Sequence, residues 1–262
     1  MAEWREMVER RKEFRREIAQ VSQSYSDADI FRDACRMFAI SLRLPLVAGD
    51  VKDALEDEFK RYADRYGKEG VEHINKAFVI LCNALEVHRG DFLGHVLEEY
   101  NATNKGFGQY LTPDPIARLM ARITTGKPVP GELLRLNDPA CGAGALLIEG
   151  AEEYISDGGR QGDVLIIASD LDYNAFNIAY VQFSLLGYAA EVTRMDALSN
   201  EVYEGPWKTV GYFAHGMPMR LLAERGKKAK IEGEVEQRND SSSVSGLKSS
   251  AEASLSQGEF AF

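Results

Sequence analysis

Residues 133–148 read Leu133-Leu134-Arg135-Leu136-Asn137-Asp138-Pro139-Ala140-Cys141-Gly142-Ala143-Gly144-Ala145-Leu146-Leu147-Ile148. The apolar run Leu133 to Leu136 predicts a strand. Ala145 to Ile148 opens a helix that should end near Gly158. Between them lies a tight turn containing two glycines. Gly142 and Gly144 have no Cβ, so a ligand can approach the backbone there. The start of the helix adds free N–H groups and a partial positive charge.

Downstream, the same alternation continues. Val164 to Ala168 is a continuous apolar run, the pattern of a strand buried on both faces in a parallel sheet. It ends at Asp170, followed by Leu171. An acidic residue at the end of a second strand is placed to accept hydrogen bonds from ribose hydroxyls. Asn174 to Leu186 predicts a helix closed by Gly187. Glu191 to Met195 predicts a third strand ending at Asp196, with Ala197 after it. A fourth strand is expected over Thr209 to Ala214, followed by His215-Gly216-Met217-Pro218. Strands alternating with helices, with acidic residues at strand ends, predict an α/β fold with an open, doubly wound sheet. Ligands bind such sheets outside the carboxyl ends of the strands.

Two rival readings of these residues fail on particular positions. Asp170, Asp172 and Asn174 have the spacing of a calcium loop, but Ala175 and Val181 stand where that loop needs Gly and Glu. A dinucleotide fingerprint needs a small residue three places after Gly144, where Leu147 stands. That weakens the nicotinamide reading without excluding it.

Upstream, residues 1–100 read as helices. Trp4, Met7, Val8, Phe14, Ile18 and Val21 recur at helical spacing. Arg10, Arg11, Lys12, Arg15 and Arg16 alternate with Glu6, Glu9, Glu13 and Glu17, so this basic cluster reads as a solvated, self-paired face. A second helix is expected from Asp27 to Pro45. A third begins at Asp50 as N-cap and is closed by Gly67. A fourth runs from Val71 to Gly90, and a fifth carries Phe92, Val96, Leu97 and Tyr100. Helices joined by short connections make a bundle. His73, His88 and His95 are too scattered to suggest a metal site.

The chain has 262 residues, of which 45% are hydrophobic, enough for a sizeable core. Its net charge of −10 is the wrong sign for a chain that binds DNA by itself, so nucleic-acid contact is expected to need local basic patches or a partner. Three cysteines, Cys35, Cys82 and Cys141, are odd in number and far apart. They argue against a disulfide framework or a zinc site and fit a cytoplasmic location. No apolar run is long enough to span a bilayer, and the charged N-terminus does not read as a signal peptide. Arg220, Arg225, Lys227, Lys228 and Lys230 either meet phosphate or form the charged end of a helix. Glu232 to Gln257 is rich in Ser, Glu and Gly, a composition that cannot fold alone.

Asn101 to Gly108 reads as a loop, followed by Gly108-Gln109-Tyr110-Leu111-Thr112-Pro113 and a helix from Pro115 to Ile123. This segment resembles motif X of S-adenosylmethionine-dependent adenine-N6 DNA methyltransferases. Asp138-Pro139-Ala140-Cys141-Gly142-Ala143-Gly144 resembles their motif I, with Ala143 in place of the usual serine. Asp170-Leu171 and Asp196-Ala197 resemble motifs II and III. The likeness is nearest to modification subunits of type I restriction-modification systems. It implies a Rossmann-like methyltransferase core with an N-terminal helical bundle. The expected domains are a helical domain over 1–104, a core over 105–231 and a low-complexity tail over 232–262.

The resemblance further implies S-adenosylmethionine as cofactor. Gln109, Tyr110, Thr112, Pro113, Asp138, Pro139, Ala140, Cys141, Gly142, Gly144, Asp170, Leu171, Asp196 and Ala197 would bind it. DNA is the implied substrate, read with the help of a specificity subunit or a second copy of the chain. The catalytic motif IV, Asn or Asp followed by Pro-Pro and an aromatic residue, is missing. Phe213, His215 and Pro218 are the candidates for a degenerate version. Two functions are therefore expected: an adenine-N6 DNA methyltransferase that depends on a partner, or a catalytically inactive relative acting as a regulatory or interaction protein.

Overall fold

The computed structural model describes residues 2–103 and 114–227. The chain divides into two compact units, Met1–His215 and Gly216–Phe262. Within the second unit the described part is a helical stretch over 217–227, which carries Arg220, Arg225 and Lys227. Lys228, Lys230 and the Ser-rich tail lie outside the described residues.

The first unit begins with helices α1 (Ala2–Gln20), α2 (Asp27–Arg43), α3 (Asp50–Val87) and α4 (Phe92–Thr103). Their shared core includes Phe14, Ile18, Phe31, Ile74, Leu81 and Phe92, all buried. Phe14 meets Phe31 and Phe92 edge-on, with ring centroids 6.2 and 5.6 Å apart, a favoured aromatic geometry. Ser26 caps α2 by accepting from the Asp29 N–H. The expected third and fourth helices form one element, α3, broken at Gly67, whose φ of 64° and ψ of 179° are non-helical. Gly49, not Asp50, is the residue before the first turn of α3. The basic cluster of α1 is self-paired only in part: Arg10 pairs with Glu6 and Lys12 with Glu9, whereas Arg11 and Arg15 turn to Glu99 of α4.

Next come α5 (Asp114–Thr124), β1 (Leu134–Asp138), α6 (Ala145–Ser156), β2 (Val164–Asp170), α7 (Tyr173–Leu185), β3 (Ala189–Asp196), β4 (Glu201–Lys208) and α8 (Val210–Ala214). The strands form one sheet in the order β1-β2-β3-β4. The first three are parallel and β4 returns antiparallel to β3. β2 is the most buried strand, as its unbroken apolar run requires, while β1 is only partly covered. α7 is apolar on nearly every side, because it packs on the sheet and on α2 at once.

The fourth strand differs from expectation. Thr209 to Ala214 is not a strand; Thr209 caps α8 by accepting from the Tyr212 N–H. The strand is Glu201–Lys208, which contains Gly205 and Pro206. A Gly-Pro pair reads as a break in sequence. It is tolerated here because β4 is an edge strand, where a missing N–H costs no ladder bond.

One buried cation joins the helices to the sheet. Arg36 of α2 is 4% exposed. Its guanidinium donates to Glu58 of α3 at 2.8 Å through both Nε and one terminal nitrogen, pairs with Glu204 of β4 at 2.9 Å, and reaches Asn177 of α7 at 3.2 Å. It also lies over the rings of Tyr173 and Trp207, 5.1 and 4.8 Å from their centroids. A planar five-donor group suits such a site, where a lysine would not.

Candidate functional site

The carboxyl ends of β1, β2 and β3 carry Asp138, Asp170 and Asp196. The register staggers them: Asp138 pairs with Ala168, two residues before Asp170, and Asp170 pairs with Arg194, two residues before Asp196. With strands about 5 Å apart and a rise of about 3.3 Å per residue, neighbouring carboxylates form steps of roughly 8 Å. All three are partly exposed, so three acceptors line one rim of the sheet.

Each carboxylate is held by backbone N–H groups. The Asp138 Oδ1 accepts from the Ala140 N–H at 2.9 Å. The two oxygens of Asp170 accept from different loops: Oδ2 from the Gly142 N–H and Oδ1 from the Asp172 N–H, each at 2.8 Å. Asp170 therefore ties the glycine turn to the start of α7. Asp196 accepts from the N–H groups of Leu198 and Ser199, which lower its pKa. A carboxylate oxygen has two lone-pair sites, so each group keeps capacity for an incoming donor. Asp172 is spent as the N-cap of α7, accepting from Asn174 and Ala175.

The turn itself separates its two glycines by role. Gly142 (φ 55°) and Gly144 (φ 91°) both have left-handed backbones. A Cβ on Gly144 would stand 2.5 Å from Cζ of Phe183 on α7. Gly144 is thus required by helix packing, so the ligand-approach reason falls to Gly142. Cys141 is buried and donates its N–H to the Ser169 carbonyl at 2.9 Å. Burial raises its thiol pKa, and the charges of Asp170 and Asp138 raise it further, so the thiol stays protonated and is no nucleophile. Pro139, Ala140, Leu171 and Ala197 are exposed at the same rim. The Leu171 carbonyl accepts from Arg194 Nε at 3.3 Å. Gln109, Tyr110, Thr112 and Pro113 lie outside the described residues.

The catalytic candidates are elsewhere. His215 Nε2 is 3.1 Å from the Gly187 carbonyl, and Thr209 at the start of α8 donates to the Tyr188 carbonyl at 2.6 Å. Gly187 and Tyr188 precede β3, so α8 and His215 sit at its amino end. Asp196 is at the other end, eight residues and roughly 25 Å along the strand from Tyr188. Phe213 is half exposed on α8, its ring edge-on to Tyr212 at 5.4 Å. Phe213 and His215 therefore do not join the acidic rim. The expectation that they form a degenerate motif IV beside it is corrected by the helix found where a strand was expected. Pro218 belongs to the second compact unit.

The residue reading missed Gln182 and Asp91. Gln182 is fully buried on α7 and bonds the Ala143 carbonyl behind the glycine turn. The available signal was an amide in an otherwise apolar stretch, Ile178-Ala179-Tyr180-Val181-Gln182-Phe183, since a buried amide needs partners.

No curated protein matches the chain. Among solved structures it is similar to a type I restriction-modification methyltransferase subunit from Streptococcus thermophilus, at 14% identity and a TM-score of 0.43, covering 75% of this chain and 59% of that one. A Listeria monocytogenes protein described as a class I S-adenosylmethionine-dependent methyltransferase gives 16% identity and a TM-score of 0.45, over 76% of this chain and 57% of that one. A modification subunit described as part of a type I restriction enzyme from Vibrio vulnificus YJ016 gives 17% and 0.35, over 56% and 28%. The chain thus spans less than two thirds of each of these proteins. The family model for N-6 DNA Methylase matches residues 88–212, a span that takes in the glycine turn and all three rim carboxylates.

Proposed function

We propose that the chain binds S-adenosylmethionine at the rim formed by β1, β2 and β3, and serves adenine-N6 methylation of DNA only together with a partner. The observation that carries the reading is the staggered set of Asp138, Asp170 and Asp196 beside the Gly142 turn. The set consists of acceptors alone. It therefore suits a ligand that brings ribose O–H groups, amino N–H groups and a positive charge, as S-adenosylmethionine does. When bound, that ligand supplies an electrophilic methyl group on its sulfonium. The chain's own part is to orient the donor. Asp170 is placed for the ribose hydroxyls, Asp196 and Leu171 for the adenine side, and the turn after Asp138 for the amino-acid end. Gln109, Tyr110, Thr112 and Pro113 are proposed to close the opposite edge.

A methyl acceptor needs a second device that holds a flipped base with its amine aimed at the methyl group. Misplacement by ~1 Å costs about a hundredfold in rate. Phe213 and His215 lie at the wrong end of β3 for this task. That favours a division of labour in which a partner subunit supplies the DNA contacts, or the second reading, a donor-binding relative without activity of its own.

Calorimetry with S-adenosylhomocysteine, then transfer of labelled methyl groups to adenine-containing DNA, tests both parts. Binding without transfer by the purified chain is the expected result. No binding of either S-adenosyl ligand refutes the donor site, and robust methylation by the chain alone refutes the partner requirement.

A further inference from the structure

Behind the glycine turn lies a polar assembly that the acidic rim does not need. The Gln182 side chain makes three hydrogen bonds. Its Nε2 donates to the Ala143 carbonyl and to Asp91 Oδ1, both at 2.9 Å, and its Oε1 accepts from the Leu93 N–H at 2.9 Å. The surroundings fix the orientation of the amide: reversed, its oxygen would face a carbonyl and a carboxylate, and its NH2 would face an N–H. Asp91 Oδ1 also accepts from the Gly94 N–H at 2.7 Å, at the first turn of α4. A Cβ on Gly94 would collide with the Asp91 carboxylate, so the glycine makes room for that contact.

Three contacts tie the turn to β2 and α7. Cys141 bonds the backbone of β2, Gly142 bonds Asp170 on the ligand side, and Ala143 bonds Gln182 from behind. Asp170 is shared with any donor that arrives, whereas Gln182 is wholly internal. α4 runs on in sequence towards Gln109 and Thr112, the proposed second edge of the donor site.

We infer that Gln182 is a positioning residue for the donor turn, fixing Gly142 and Gly144 relative to the start of α4 through the Ala143 carbonyl. This rests on the donor-binding reading for its functional meaning. Its geometry can be tested without that reading.

The test uses the full chain and a charge-pattern swap. Gln182→Glu sets a carboxylate against Asp91 and the Ala143 carbonyl. Adding Asp91→Asn removes the second carboxylate and lets the new amide donate to the new carboxylate, although the Gly94 N–H then loses its acceptor, and Ala143 still has no donor from residue 182. The swap should recover part of the melting temperature lost in Gln182→Glu, because the like-charge contact is gone. The affinity for S-adenosylhomocysteine should stay about tenfold weaker than in the parent chain, the effect of one lost bond to a buried carbonyl. Amide exchange at Gly142 and Gly144 should likewise stay faster than in the parent chain. Affinity and exchange recovering in step with stability would overturn the inference.

If the swap does not fold, Gln182→Met, neutral and of similar length, is read by the same two measurements. Unchanged exchange at the turn then overturns it. A parent chain that binds no S-adenosyl ligand sinks the proposed function, while exchange at the turn still decides the role of Gln182.

Discussion

At the scale of single residues, Gly144 gives the sharpest expectation. Its left-handed φ and the Phe183 ring 2.5 Å from a would-be Cβ leave no room for a side chain. Gly144→Ala should cost roughly 1–3 kcal/mol, since both overpacking and backbone strain act. Phe183→Leu should return part of that loss, which denaturant titration of the single and double variants will read. Asp170→Ala removes an acceptor shared by two loops and the proposed donor. It should weaken S-adenosylhomocysteine binding by roughly 10- to 150-fold, the range for a lost hydrogen bond to a charged group. Glu58 sets a pH dependence. Burial alone would raise its pKa, but the Arg36 hydrogen bonds and charge, with a bond from Tyr173, outweigh burial and lower it. A depressed carboxylate contributes stability that is complete above its unfolded value, ordinarily ~4.3, and is lost as pH falls through the lower folded value. Glu58→Gln should therefore flatten the acid limb of a stability-against-pH curve and leave its slope near neutrality unchanged.

At the scale of elements, α5 packs on α6 through Ala117 and Ala121, while Ile116, Leu119, Met120 and Ile123 are exposed. Leu119→Lys should leave the melting temperature within about 2 °C of the parent, because it removes no buried contact; a larger fall would mean that this face is covered in solution. The ion pairs Arg118–Glu149 and Arg122–Glu153 flank the contact at the surface and should each contribute less than about 1 kcal/mol. Elements with strong local signals were legible in the sequence. The apolar run of β2, the starts of α2 and α7, and the glycine stops after α6 and α7 all fall within a residue or two of expectation. β4 was not, because its sequence carries a Gly-Pro break and its place is set by pairing with β3. The acidic rim was legible because each aspartate ends its own strand. The Gln182 assembly was not, because its partners are about 40 and 90 residues away in sequence and only packing brings them together.

At the scale of the first compact unit, helices and sheet share buried surfaces instead of meeting at a wet seam. α2 lies along α7, Leu93 bonds Gln182, and Arg89 in the connection between α3 and α4 pairs with Glu152 of α6 at 2.7 Å. None of the described helices is long and apolar enough to cross a membrane. The Arg36 site has a consequence for how this unit comes apart. Its carboxylate partners lie on α3 and on the last strand, so neither half can leave without stranding a buried charge, a change that costs several kcal/mol. The two halves should therefore melt as one cooperative body. Trp207, whose ring lies 4.8 Å from the Arg36 guanidinium, is a built-in reporter of that junction. With Trp4→Phe in place so that Trp207 alone fluoresces, its emission and the far-ultraviolet helical signal should follow a single coincident transition. In Arg36→Met both curves should move to lower temperature, because Glu58 and Glu204 are left against an apolar side chain without their shared cation. In Glu204→Gln they should separate, with the tryptophan signal changing first as the sheet edge loosens from the helices.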